Sequence, residues 1–319
     1  MKIHIMKFGG SSVASPEKIF QTAEKAAEKM KCGIFPVLVV SAPADITDDL
    51  IKLSVQTAGN IPAREYDALV SCGEQITAAL CASSLCSLGC PAVSLNGRQA
   101  GITTDSSFKN AGVLSFSGME IMKYISGGII PVITGFQGTD SEGNITTLGR
   151  GGSDLTAVLS AQALKAEICE FYTDVRGIYN AHPGVVPDAA VIPLISYSEV
   201  LLLGEKGTEV RQMRAIRYAA EHNLKLRLRS SFVPDSGTVL AAEGRQGINA
   251  LAFSVNEQGI AEISAAGFNM QGTDFKKFKK AAESGGGFNI KQSSSIHFSA
   301  FAEEGKGESL LRHLHSALF

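Results

Sequence analysis

No Cys-x-x-Cys pair occurs in this chain, although it has six cysteines. Four of them, Cys72, Cys81, Cys86 and Cys90, share one segment, which contains no histidine. That pattern argues against a metal site built from close ligand pairs. Cys81 to Cys90 lie in an Ala/Leu/Ser-rich helical stretch, so they are expected to be small buried thiols. Long apolar runs are also missing, and none reaches the length of about 20 residues that spans a bilayer. Lys7 and the glycines after it interrupt the short apolar start, which removes the signal-peptide pattern. Charge of one sign is not in excess: the formal net charge is −2, which gives no general reason to expect nucleic-acid binding. The expected compartment is the cytoplasm, where thiols stay reduced, with neither membrane nor nucleic acid as a partner.

What is present is the material of a sizeable core. The 319 residues are 45% hydrophobic and 19% charged, enough for about two domains. The stretch Lys7-Phe8-Gly9-Gly10-Ser11-Ser12-Val13 follows an apolar run, Ile3 to Met6, and precedes Ser15-Pro16-Glu17. Ser15 can cap a helix and Pro16 can occupy its first turn, so the order is strand, glycine-rich turn, helix. Such a turn offers backbone amides to an anion, with Lys7 at its mouth. It is not the common P-loop. Taken alone, it is equally a tight connection with an exposed lysine.

Further along, Pro36 to Val40 reads as a central strand covered on both faces. It ends in Ser41-Ala42-Pro43, and Asp45 to Asp49 opens a helix. Arg64 to Leu88 reads as helical with a break near Ser71-Cys72-Gly73-Glu74. A glycine beside an acid there hints at a site, and the alternative is a kink with a solvated Glu74. Ile129 to Ile133 is another buried strand, and Asp140 to Asn144 has the composition of a hairpin turn. A second glycine-rich turn, Thr147-Leu148-Gly149-Arg150-Gly151-Gly152-Ser153-Asp154, leads into a helix. Arg150 can fork onto a carboxylate or phosphate. Two such units, each with a cation, suit phosphoryl transfer, which depends on fixed amides and cations. After Leu240 the pattern changes to that of a small α+β module. Within it the run Lys276, Lys277, Lys279, Lys280 reads as a solvated helix face.

Together these motifs, with Tyr172-Thr173-Asp174-Val175-Arg176-Gly177-Ile178-Tyr179 and Arg229-Ser230-Ser231-Phe232, resemble the signatures of aspartokinases, members of the amino-acid kinase superfamily. The resemblance covers roughly residues 1–240. It implies an α/β protein: a three-layer α/β/α amino-acid kinase domain over 1–241 and an ACT-like regulatory module over 242–319. It implies transfer of the ATP γ-phosphoryl group to the β-carboxylate of L-aspartate, on the way to lysine, threonine and methionine. In that reading Lys7 and Asp154 are catalytic, and Thr47, Glu74, Arg150 and Ser153 hold aspartate. Lys7, Gly9, Gly10, Ser11, Thr173, Asp174, Tyr179 and Arg211 bind ATP. Mg²⁺ arrives with ATP and needs no protein ligand set of its own. A homodimer and feedback by lysine or threonine are further family expectations.

Two stretches depart from the family pattern. His182-Pro183-Gly184 stands where Asp-Pro and often an arginine are usual. Gly207-Thr208-Glu209-Val210-Arg211 puts Glu209 where a lysine near the ATP phosphates is usual, with Arg211 the preferred substitute cation. Two alternatives therefore stay open: a kinase for another small amino acid, and a weakly active or inactive paralogue serving as a ligand-binding regulatory subunit.

Overall fold

The computed structural model describes residues 1–210 and 212–319; Arg211 lies outside the described residues. The chain forms two compact units: Met1–Val175 with Leu224–Pro234, and Arg176–Asn223 with Asp235–Phe319.

The first unit runs through β1 (Lys2–Phe8), α1 (Pro16–Lys31), β2 (Ile34–Val40), α2 (Ile46–Ala58), α3 (Ala63–Val70), α4 (Cys72–Ser87), β3 (Ala92–Leu95), α5 (Gly97–Ala100), β4 (Ile102–Thr104), β5 (Val113–Phe116), α6 (Met119–Ser126), β6 (Ile130–Thr134), β7 (Gln137–Thr139), β8 (Ile145–Thr147), α7 (Gly152–Ala163) and β9 (Ile168–Thr173). After β10 (Leu194–Ser196), which belongs to the second unit, β11 (Leu226–Ser230) returns to the first. Its main sheet is parallel, in the order β11-β9-β1-β2-β6-β3. The crossovers β1–α1–β2 and β6–α7–β9 run in opposite directions along this order. Right-handed connections therefore place α1 and α7 on opposite faces, which gives the expected three layers. The near-continuous burial of β1 and β2 fits a sheet covered on both sides. Ser15 caps α1 as expected, its Oγ accepting from the Lys18 N–H at 3.4 Å, with Pro16 in the first turn. A small sheet, β5-β4-β7-β8, lies beside the main one in sequence, and the Asp140–Asn144 turn closes its β7–β8 hairpin.

Three expectations need correction here. The break near Ser71 amounts to a single junction residue, which itself keeps helical dihedrals (φ −64°, ψ −18°). Gly73 is needed for space rather than for a break: a Cβ there would lie 2.6 Å from the Ala42 Cβ. Joined this way, α3 and α4 make a 25-residue run, Ala63–Ser87, long and apolar enough to cross a membrane by length and composition. Half of its apolar window is buried, and it encloses the buried carboxyls of Asp67 and Glu74, as a core helix does. Of the thiols expected to be buried, only Cys81 is; Cys90 is half-buried, and Cys86 is exposed because it faces outward from α4.

The second unit holds the parallel pair β10 and β12 (Thr238–Ala241), with α8 (Tyr197–Glu205) and α9 (Met213–Glu221). It continues as β13 (Gly247–Val255), β14 (Ala261–Phe268), α10 (Gly272–Ser284), β15 (Phe288–Ser294), β16 (His297–Ala302) and α11 (Gly307–Leu318). Its antiparallel sheet has the order β13-β14-β16-β15. Phe278, Phe298, Leu310, Leu311 and Leu314 form its core. Lys276, Lys277, Lys279 and Lys280 are exposed while Phe278 is buried, the solvated face expected of α10.

Candidate active site

Every strand of the main sheet points its carboxyl end to the same edge, the edge where open α/β sheets bind ligands. Lys7 is the penultimate residue of β1, in register with Val39 and Phe171 on its two neighbours. It is buried rather than exposed. A cleft of about 300 Å³ opens there, and it brings together Lys7, Thr47, Glu74, Arg150, Ser153 and Asp154. Ser41, Ala42, Phe136, Gly149, Gly151 and Gly152 complete its lining.

Two walls make the cleft. One is the start of α4, where Glu74 is buried and accepts the Ala42 N–H on Oε1 at 3.0 Å. Its Oε2 is a buried acceptor with no hydrogen-bond partner. Burial pushes the Glu74 carboxyl up to about 7, against the smaller opposing pull of the Ala42 N–H and of Lys7. The other wall is the turn entering α7. Gly149 and Gly151 take positive φ (71° and 74°), so the chain can fold tightly before the helix. Arg150 stands exposed between them, and Ser153 and Asp154 occupy the first turn of α7. Lys7 Nζ and Asp154 Oδ1 form a buried ion pair at 2.6 Å. The helix amides and Arg150 suit a carboxylate, while the unpartnered oxygen of Glu74 suits an ammonium.

The remaining predicted residues are placed as follows. Gly9, Gly10 and Ser11 come after Phe8 and do not line the cleft, although a Cβ at Gly9 would come within 3.6 Å of the Lys7 Nζ. Gly10 lies close against the loop that follows β2, 3.0 Å from the Ala42 carbonyl at its would-be Cβ. Thr173 ends β9 and Asp174 follows it in the same unit, and Thr173 Oγ1 accepts the Val175 N–H at 3.1 Å. Tyr179 belongs to the second unit, half-buried and bridged to Val191. Glu209 is exposed in that unit. Arg211 is outside the described residues. Among the described residues no group of three His, Cys, Asp or Glu is arranged to hold a metal ion.

Sequence reasoning missed Phe136, which lines the cleft in a left-handed conformation (φ 73°). Its signal was the Thr134–Gly138 loop at a strand's end. It also missed a second charged centre. Glu170 on β9 is fully buried, with Lys29 at 2.7 Å, Arg227 and Arg229 at 3.4 Å and His4 at 3.5 Å. Burial alone would raise its pKa, but His4 and Lys29 hydrogen bonds and the charges of Lys29 and Arg229 hold it at about 2.

Residues 2–230 match the amino acid kinase family. The aspartokinase of Bacillus sp. (strain MGA3) is 44% identical over 243 residues, 76% of this chain and 59% of that protein. The aspartate kinase of Pseudomonas putida is 39% identical over 282 residues, 85% of this chain and 69% of that protein. The chain thus spans about six to seven tenths of the length of these curated relatives. Among solved structures, E. coli aspartokinase III in complex with aspartate and ADP shares the fold with a TM-score of 0.78 at 21% identity, covering 100% of both chains. The aspartate kinase of Synechocystis has a TM-score of 0.66 at 27% identity, covering 99% of this chain and 69% of that one. With its parallel sheet, its two glycine-rich turns and these relatives, the chain belongs to the amino acid kinase family, among its aspartokinases.

Proposed function

We propose that the protein is an aspartate kinase, transferring the γ-phosphoryl group of ATP to the β-carboxylate of L-aspartate. The observation that carries this reading is the single cleft holding Lys7, Glu74, Arg150 and Asp154. The α-carboxylate of aspartate pairs with Arg150 and the α7 amides, its ammonium with Glu74, and Thr47 and Ser153 complete the pocket. The side-chain carboxylate then extends towards Lys7. That carboxylate is ionised at neutral pH, so no general base is required. Its oxygen attacks the γ-phosphorus, the bond to the bridging oxygen breaks, and ADP departs. The difficulty is bringing two anions together, and a positioned cation addresses it. Lys7 supplies that charge, with Asp154 holding the ammonium in place.

Gly9, Gly10 and Ser11 cradle the phosphates, and Thr173 and Asp174 hold the nucleotide. Mg²⁺ bound with ATP would supply neutralisation of phosphate charge, with no dedicated set of protein ligands. With Asp154 engaged by Lys7, the cleft fits an ion carried in by the nucleotide. The E. coli aspartokinase III structures hold aspartate with ADP, and lysine with aspartate, which supports the same substrates here. A catalytic domain over 1–241, an ACT-like module over 242–319 answering lysine or threonine, a homodimer and a cytoplasmic place in lysine-pathway biosynthesis complete the proposal.

The test is incubation with Mg-ATP and candidate acids, with hydroxylamine to trap the acyl phosphate. Aspartyl hydroxamate is the expected product. A different hydroxamate assigns another acid substrate. No product, together with thermal stabilisation by lysine or threonine, assigns a regulatory subunit and overturns the reading.

A further inference from the structure

The cleft has two walls that share no strand and no helix, yet one buried carboxylate joins them. Asp67 is wholly inaccessible to solvent. Its Oδ2 accepts the Thr147 N–H at 2.8 Å and its Oδ1 accepts the Thr147 hydroxyl at 2.9 Å. The Lys109 N–H is shared between the two oxygens at 3.1 and 3.0 Å. Lys109 takes a left-handed conformation (φ 71°), which a non-glycine residue adopts at a cost. That conformation directs its N–H at Asp67.

Thr147 begins the turn that carries Arg150 and the α7 entrance. The 109–111 loop supports the same turn: Ala111 N–H donates to the Thr147 carbonyl at 2.8 Å, and Lys109 O would lie 3.2 Å from a Cβ at Gly149. On its own side, Asp67 sits two helical turns ahead of Glu74 on the α3–α4 run. Its carbonyl accepts the Ser71 N–H at 3.1 Å, and Gln137 Nε2 donates to the Ser71 carbonyl at 3.1 Å. Asp67 lines no part of the cleft, so it touches no substrate there. The carboxylate thus takes its donors from Thr147 and from the loop that buttresses the same turn, which ties the α3–α4 run to the α7 entrance.

We propose that Asp67 is a positioning residue for the amino-acid substrate, setting the separation of its ammonium and carboxylate partners. The inference rests on the aspartate-kinase reading and deepens it. Loss of charge-assisted hydrogen bonds of this kind corresponds to a change of about 10- to 100-fold in an equilibrium constant. Asp67→Asn is therefore expected to raise the aspartate KM by about tenfold or more, with kcat within about threefold of wild type and the ATP KM unchanged. Thr147→Val, which removes only the hydroxyl, should shift the aspartate KM in the same direction by less. A purely structural role predicts something else: less active protein, lower apparent kcat, and an aspartate KM at the wild-type value. That result overturns the inference while wild-type activity keeps the kinase reading intact. If Asp67→Asn does not fold, Thr147→Val decides alone, and an unchanged aspartate KM in it overturns the inference. A wild type that makes no aspartyl hydroxamate overturns both.

Discussion

The protonation of Glu74 offers a direct probe of the cleft, because its cost can be worked out. In the folded chain its carboxyl titrates at about 7 instead of 4.5, chiefly because it is buried. Between those two values the native state keeps a proton that the unfolded chain has released. Stability therefore falls as pH rises through that window, and is flat above it. The gap corresponds to about 3 kcal/mol, a large share of a domain's net stability. Glu74→Gln removes the titration while keeping the shape, so its unfolding free energy should lack this slope. Denaturant unfolding of both proteins between about pH 5 and about pH 8 measures the difference. The wild type should lose up to about 3 kcal/mol relative to the variant across that range. Aspartate adds a second reading, since its ammonium favours the ionised carboxylate. Below the Glu74 pKa, its affinity should tighten by up to about tenfold per pH unit as pH rises, and calorimetry should detect proton release. Parallel stability curves for wild type and Glu74→Gln would refute the argument, for they would mean that the carboxyl titrates normally. A pH-independent aspartate affinity in the wild type would refute the ammonium contact.

Three further outcomes are expected. Lys7→Ala should lower kcat more than it raises the aspartate KM, because its contact strengthens as charge moves onto the transferring group; steady-state kinetics with a fall confined to KM would contradict that role. Glu170 titrates below its ordinary value, so its contribution is full above about pH 4.5 and lost as pH falls towards 2. Glu170→Gln should destabilise at neutral pH by less than the roughly 3 to 5 kcal/mol of a fully buried pair, because Lys29, Arg227 and Arg229 are only half-buried, read by thermal unfolding. Gly135→Ala would place a Cβ 2.6 Å from the Ser153 Cβ and 2.9 Å from its Cα. Relief requires the α7 entrance to move, so stability should fall by about 1 to 3 kcal/mol and the aspartate KM should rise; an unchanged KM would show that the turn tolerates displacement.

The parts of the molecule that follow local rules were legible in the sequence. Continuous apolar runs located β1, β2 and β6, and Ser15 with Pro16 located the start of α1. Lys7 and the second glycine-rich turn meet at one cleft, because a parallel sheet gathers its strand ends on one edge, whereas Gly9, Gly10 and Ser11 are not among its lining residues. What was hidden depends on distance along the chain. Glu170 draws its partners from His4, Lys29, Arg227 and Arg229, and no window contains that set. Asp67 meets Thr147 across 80 residues. Strand β15 escaped notice because it is exposed along nearly its whole length and shows no apolar alternation. Gly73 misled in the opposite way, since a residue that often ends helices is here the one that lets a helix lie against Ala42.

The late return of β11 has a consequence for synthesis. Until residue 234 has left the ribosome, the N-terminal body has an open flank at β9, bare of its neighbouring strand. The guanidinium groups that offset Glu170 arrive on that same strand, so a nascent or truncated chain ending at Val175 carries both an unpaired backbone edge and an under-neutralised interior acid. Such fragments should aggregate, and a soluble N-terminal piece should be recoverable only when the missing strand is supplied, either by extending the piece or by tethering Leu224–Pro234 to it.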